Sequence, residues 1–167
     1  FSYYVTSTDF LSWTIRPLPV PLYRPYILEH NGVFIIGETQ GGSYYDLYKS
    51  TDGINWTGAT NSVNGSNSTS IFSSSGNAIA WNQSMWIAVG NGTTNTIAYS
   101  YDGKRWTGLG NSLFTVYGTD VTWYNASNMW VATGKGGQSS IGNSASIVYS
   151  KDGINWYPVN NTPSIFP

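Results

Sequence analysis

The acidic side chains that lie outside any repeated pattern are Glu29, Glu38, Asp46 and Asp120. Glycoside hydrolysis needs two carboxylates facing each other across a sugar, one as acid and one as base or nucleophile. Glu38 follows the apolar run "VFIIG" and Asp120 precedes the run beginning "VTW", so either stands at the end of a predicted inner strand. No spacing pairs them, and solvated loop acids are the expected reading. His30 sits beside Asn31-Gly32 without the His or Cys companions a metal site requires, which makes it an exposed turn residue. The stretch "GKGGQSS" (134–140) lacks the Gly-Lys-Ser/Thr ending and the following helix of a phosphate loop. With no cysteine, disulfides, thiolate metal sites and cysteine nucleophiles are excluded. No cofactor, no metal ligand and no catalytic residue is assigned. The aromatic side chains Trp81, Trp123, Tyr44 and Tyr45 are weak candidates for stacking on glycans, against the competing role of packing between sheets.

Composition narrows the partners. Charged residues make up only 9% of the chain, against about 25% in ordinary soluble domains, so the surface is mostly neutral. Seven basic and eight acidic residues leave a net charge of −1 with no basic cluster, which argues against nucleic acid. No apolar run approaches the roughly 18 residues of a membrane helix, so membrane insertion is not expected. Asn-x-Ser/Thr occurs at Asn55, Asn64, Asn67, Asn82, Asn91, Asn125 and Asn160. Glycans there would supply the solubility that charge does not, although a chain rich in Asn, Ser and Thr also generates such triplets by chance.

The elements that must carry these side chains repeat. Ser-x-Asp-Gly-x-x-Trp occurs at Ser50, Asp52, Gly53, Trp56, again at Ser100, Asp102, Gly103, Trp106, and again at Ser150, Asp152, Gly153, Trp156. A further copy, Ser7, Asp9, Trp13, carries Phe10 where the others carry glycine. Two alternating apolar runs around a polar turn precede each full copy, as in "AIAWNQSMWIAVG" (78–90) and "DVTWYNASNMWVATG" (120–134). In the first copy that turn is Asn31-Gly32, the strongest short hairpin signal. A third run leads into the Asp-Gly turn, and a fourth, led by Trp, completes a unit the size of one propeller blade. The prediction is an all-β, propeller-type array of four-stranded antiparallel blades in a single domain. It comprises a half blade (1–16), blades over 17–58, 59–108 and 109–158, and a tail (159–167). The stretches 58–77 and 134–146 are predicted to be enlarged loops.

Within the motif, Asp accepts backbone N–H groups across the turn, Gly supplies the positive φ, and Ser adds a short-range hydrogen bond. The Trp covers the hairpin and the neighbouring blade. These residues resemble the Asp-box, or bacterial neuraminidase repeat, whose pattern is Ser/Thr-x-Asp-x-Gly-x-x-Trp/Phe; here Gly follows Asp directly, so the turn is one residue shorter. The resemblance spans nearly the whole chain and implies a propeller in which the box is structural and lies away from any catalytic centre. It also implies a possible activity, sialidase-like hydrolysis, in which three arginines hold a carboxylate, a Tyr assisted by Glu attacks, and an Asp is the acid. The arginines here are Arg16, Arg24 and Arg105. Arg105 lies within a box, which the resemblance puts on the outer rim.

The function expected from the sequence is a non-catalytic structural or interaction protein, extracellular or on a particle surface, such as a subunit of a fibre or coat. A lectin module is the alternative, and a sialidase-like hydrolase the third reading. Three and a half blades leave unpaired edges, so either a longer chain or a partner chain, through self-association or another protein, is expected to complete them.

Overall fold

The structure is a computed structural model and describes residues 3–18, 25–37, 46–61, 70–136 and 146–159. Short alternating apolar runs between tight turns fold with the two-residue period of strands. Among the described residues there are fifteen strands and one short 3₁₀ turn, Asn125–Ser127. No helix is long and apolar enough to cross a membrane. The protein is an all-β, propeller-type array.

A lone antiparallel hairpin comes first, β1 (Tyr3–Thr6) with β2 (Thr14–Pro17). The first full blade is an antiparallel meander of β3 (Tyr26–His30), β4 (Val33–Gly37), β5 (Leu47–Ser50) and β6 (Thr57–Gly58). Its opening turn has φ of 51° at Asn31 and 74° at Gly32, the doubly positive geometry that matches strand twist in a two-residue hairpin. A short strand, β7 (Thr60–Asn61), lies in the link to the second blade, which consists of β8 (Ser75–Trp81), β9 (Trp86–Asn91), β10 (Ile97–Ser100) and β11 (Arg105–Gly108). The third blade is β12 (Tyr117–Tyr124), β13 (Met129–Lys135), β14 (Ile147–Ser150) and β15 (Trp156–Pro158). One bridge, Tyr117 to Asn91, joins β12 to β9, and β7 runs parallel beside β11, so these strands form a continuous curled sheet.

The core is distributed over the joints between blades, because the second strand of each blade sends alternate residues to opposite neighbours. From β9, Trp86 and Ala88 pack toward the first blade with Ile35, Leu47 and Trp106. Ile87 and Val89 pack toward the third blade with Val121, Trp130 and Trp156. A smaller cluster of Leu18, Ile36 and Tyr48, edged by Tyr4 and Trp56, joins the hairpin to the first blade. Each fully buried side chain of this kind contributes roughly 1.5–3 kcal/mol, so every joint is a stabilising unit and the array is cohesive without a central core.

The described parts of the link between the first two blades are hydrogen-bonded to the blades on either side. Thr60 N–H donates to the Lys104 carbonyl at 2.8 Å, which adds β7 to the edge of the second blade. Farther on, Phe72 N–H donates to the Asp46 carboxylate at 2.7 Å, and Ser70 Oγ donates to the same carboxylate. That anchor seats the Phe72 ring over Gly90, where a Cβ would lie 2.6 Å from it; Phe114 sits over Gly134 in the same way.

Candidate functional site

Four Ser-x-Asp turns share one geometry. Ser50 Oγ accepts the Gly53 N–H at 2.9 Å and donates to Asp52 Oδ1 at 2.9 Å. Asp52 Oδ1 also accepts the N–H groups of Ile54 and Asn55 at 2.8 and 2.7 Å, while Oδ2 accepts Asn55 Nδ2 at 2.7 Å. At Asp152 the donors are the N–H groups of Ile154 and Asn155, the Asn155 side chain and Ser150. At Asp102 they are the N–H groups of Lys104 and Arg105, Ser100, and Arg105 Nε at 3.1 Å. The fourth turn repeats the pattern with Leu11 and Ser12 donating to Asp9 at 2.9 and 2.8 Å, and Phe10 N–H donating to Ser7 Oγ at 2.8 Å. Phe10 adopts φ 60°, beside 67°, 68° and 76° at Gly53, Gly103 and Gly153. The turn imposes the left-handed conformation even on a side chain that disfavours it.

These bonds stabilise the charged carboxylates. The Ser12 and Leu11 amides bring the Asp9 pKa down to about 2. Partial burial raises the Asp102 pKa, but the amides of Arg105 and Lys104 outweigh it and the net value is about 2. The amides of Asn55 and Ile54 hold Asp52 well below the usual carboxylate range, and the Asn155 side chain and amide do so for Asp152. A general acid works best with a pKa near the operating pH, so these carboxylates are tuned away from proton donation and toward holding the turn.

The Gly and Trp of each turn serve the joints. Trp106 Nε1 donates to the Gly103 carbonyl at 3.0 Å, and Trp156 Nε1 to the Gly153 carbonyl at 3.0 Å, each ring buried against the preceding blade. A Cβ on Gly103 would lie 2.8 Å from Ile35 Cδ1, and one on Gly153 would lie 2.6 Å from Met85 Sδ and 3.1 Å from Ile87 Cδ1. Glycine therefore permits both the turn and the close approach of the next blade. At the first blade the arrangement changes. Tyr4 OH from the hairpin donates to the Gly53 carbonyl and accepts Trp56 Nε1 at 3.2 Å, with the two rings edge to face at 6.1 Å. Tyr4 thus enters a hydrogen bond that the other two turns close within themselves. Its only sequence signal is membership of the strand "SYYVT". Trp13 is 54% exposed, with no blade packed on it among the described residues.

The remaining side chains disperse. Asp46 is buried and holds the link at Ser70 and Phe72, which departs from the solvated loop acid that the sequence suggests. Glu29 accepts the Gly32 N–H at 2.8 Å, and Asp120 accepts the N–H of Val121 at 2.8 Å beside a bulge in β12. Arg16 donates to Thr6 Oγ1 within the hairpin, whereas Arg105 pairs with Asp102 in the second blade. His30 is exposed, and its ring lies 5.5 Å from that of Trp81. Trp81 and Trp123 form cross-strand pairs with Trp86 and Trp130 at 4.7 and 4.9 Å, half-buried at the joints. Among the described residues no three of His, Asp and Glu gather closely enough to hold a metal ion.

Of the glycan-acceptor candidates, Asn125 is exposed in the 3₁₀ turn, Asn55 is exposed but bound to Asp52, and Asn82 accepts Met85 N–H in a tight turn. Asn91, at the end of β9, is half-buried. Arg24, Glu38, Tyr44, Tyr45, Asn64, Asn67, Asn160 and the Gly-rich stretch from 137 on lie outside the described residues. A cleft of about 220 Å³ opens between Thr96, Leu109 and Gly110 of the second blade and Ile154–Trp156 of the third; its lining is apolar and neutral polar. The chain matches no protein-family model, and no curated protein matches it.

Proposed function

We propose that this chain is a non-catalytic structural and interaction module of a cell exterior or particle surface, an Asp-box-like array of propeller blades of the kind a fibre or coat subunit uses. The observation that carries this reading is the use made of the Ser-x-Asp turns: every turn carboxylate is spent on its own backbone, and in the second and third blades the Gly and Trp beside it serve blade-to-blade packing. Reactive groups are built differently, with a perturbed acid or base facing open space. Among the described residues, the acids outside the turns, Glu29, Asp46 and Asp120, each accept backbone N–H groups on separate elements. The exterior setting rests on a charge-poor surface and on the exposed acceptor triplet at Asn125.

Three assays on the full chain test it together: sedimentation across a concentration range, a glycan array, and turnover of a fluorogenic sialoside. The expected result is self-association without saturable sugar binding or turnover. Saturable binding would establish the lectin alternative, for which the half-exposed Trp81 and Trp123 are the residues to change. Turnover abolished by Asp120→Asn would establish the hydrolase.

A further inference from the structure

The links leaving the first and second blades begin alike and then part. Ala59 N–H donates to the Leu47 carbonyl at 2.9 Å, and Leu109 N–H donates to the Ile97 carbonyl at 2.8 Å, so both links start in the same register. One residue on, Thr60 carries the first link alongside the next blade as β7, parallel to β11, with its N–H on the Lys104 carbonyl at 2.8 Å. Its counterpart in the second link, Gly110, turns the other way. Gly110 adopts φ 83°, its N–H donates to Asn95 Oδ1 at 3.0 Å, and its carbonyl accepts the Thr96 N–H at 3.0 Å, which ties this link back to its own blade. Asn95 is buried, and its Nδ2 donates to the Ile71 carbonyl at 3.2 Å, so the side chain that diverts the link is itself fixed. In the third blade, Ile154 takes the place of Lys104, and Asn155 and Trp156 the places of Arg105 and Trp106, yet among the described residues β15 pairs with β14 alone. The cleft of about 220 Å³ lies between that edge and the diverted link.

We propose that this cleft receives a short extended peptide segment of a partner protein, laid parallel to β15 as β7 is laid parallel to β11. The inference rests on the reading of the chain as an interaction module and names one surface and the chemistry of its partner. What favours a peptide is the chain's own precedent: at the preceding joint the same edge is covered by a strand of two residues, held by a backbone N–H on the carbonyl that Ile154 supplies here. Strand addition of this kind draws affinity from main-chain hydrogen bonds and selectivity from the pockets beside them. The size agrees, since about 220 Å³ is below the roughly 300–1,000 Å³ of a drug-sized ligand site and suits a segment as short as β7. None of the lining residues is charged, and Leu109, Leu113 and Trp156 contribute an apolar floor, so the segment is uncharged with small side chains. A sugar would need an open aromatic face, whereas Trp156 is 9% exposed and its Nε1 is bound to the Gly153 carbonyl.

The test is two-dimensional NMR of the isotope-labelled full chain, titrated with acetyl-Gly-Ala-Thr-Asn-Ser-amide, the sequence of residues 58–62 that contains β7. The probe is taken to about 10 mM, since a contact this short supports millimolar affinity. The expected result is saturable shifts of the amides of Ile154, Asn155 and Trp156 and of Leu109 to Leu113, with the other blades unmoved. A second probe with proline in place of threonine lacks the N–H that would meet Ile154 and should bind about fivefold more weakly or worse. Ser112→Trp, at an exposed lining position, fills the cleft and should abolish the shifts while keeping native circular dichroism; Ile154→Arg, on the exposed rim, replaces it if that variant fails to fold. Absence of shifts at these amides overturns the peptide site, and so does equal binding of the proline probe. N-acetylglucosamine shifting the same amides where the peptide does not would also overturn it, and would make the cleft a sugar site. A silent peptide titration leaves the sedimentation and turnover results unaffected, so the site can fail while the wider functional reading stands.

Discussion

Gly53 and Gly103 occupy the same place in the same turn with φ of 67° and 68°, and differ only in what surrounds them. A Cβ on Gly53 meets nothing closer than Phe34 at 3.8 Å, whereas one on Gly103 meets Ile35 Cδ1 at 2.8 Å. Gly53→Ala therefore reports backbone strain alone, about 1–2 kcal/mol for a non-glycine residue in the left-handed region. Gly103→Ala carries the same strain and in addition forces the fully buried Ile35 to move, an over-packing cost of about 1–3 kcal/mol. The expected losses are about 1–2 and 2–5 kcal/mol, and at about 2–4 °C per kcal/mol in a chain of this size the second variant melts clearly lower. Urea unfolding of both variants measures the difference directly. A second change, Ile35→Val, removes the offending methyl and should recover part of the loss in Gly103→Ala while destabilising the parent. Equal losses from Gly53→Ala and Gly103→Ala, within about 0.5 kcal/mol, would refute the claim that these turns are packed directly against the preceding blade.

Further outcomes follow from the same contacts. Phe10→Gly relieves left-handed strain at an exposed position, and after the entropy glycine adds to the unfolded chain the hairpin gains about 1 kcal/mol or less; the Leu11 and Ser12 amides that donate to Asp9 should exchange with solvent a few-fold more slowly. Asp46→Ala leaves the buried Phe72 N–H without its acceptor and should cost about 1–3 kcal/mol, read by urea unfolding, with Asp46→Asn losing less. Acid unfolding should be cooperative and late. The turn carboxylates titrate near 3.8 when unfolded and near or below about 2 when folded, so the unfolded chain takes up protons first. Stability is then flat above about pH 5 and falls as pH drops from about 4 through 2, a slope that Asp52→Asn with Asp152→Asn should flatten in fluorescence melts.

What could be read from the sequence is what closes within a few residues. Ser50, Asp52 and the amides of 53–55 satisfy one another inside a single turn, so residue types and spacing suffice to define the geometry. The Asn31-Gly32 hairpin and the four-strand meander are local in the same sense. The joints are not. Tyr4 reaches Trp56 across 52 positions, and Asp46 reaches Phe72 across 26, through side chains that no period marks. The same distinction explains Trp81 and Trp123. Each is the polar-flanked aromatic that a sugar site would use, yet it sits directly across a hairpin from Trp86 or Trp130, and stacking there buries more ring than a solvent-facing pose would.

Phe10 carries this logic furthest. A turn selected only for its own stability would have glycine there, as the other three do. Phenylalanine retains the left-handed φ at a cost of about 1–2 kcal/mol and exposes a ring to water. Nothing within the hairpin offsets that beyond one edge-to-face contact with the exposed Trp13 at 6.4 Å. Among the described residues, this is the turn on which no other blade packs, so the strain at Phe10 stays local to the hairpin. Phe10→Gly tests this directly: the hairpin should gain stability in urea unfolding, and a loss of stability would refute the strain assigned to this turn.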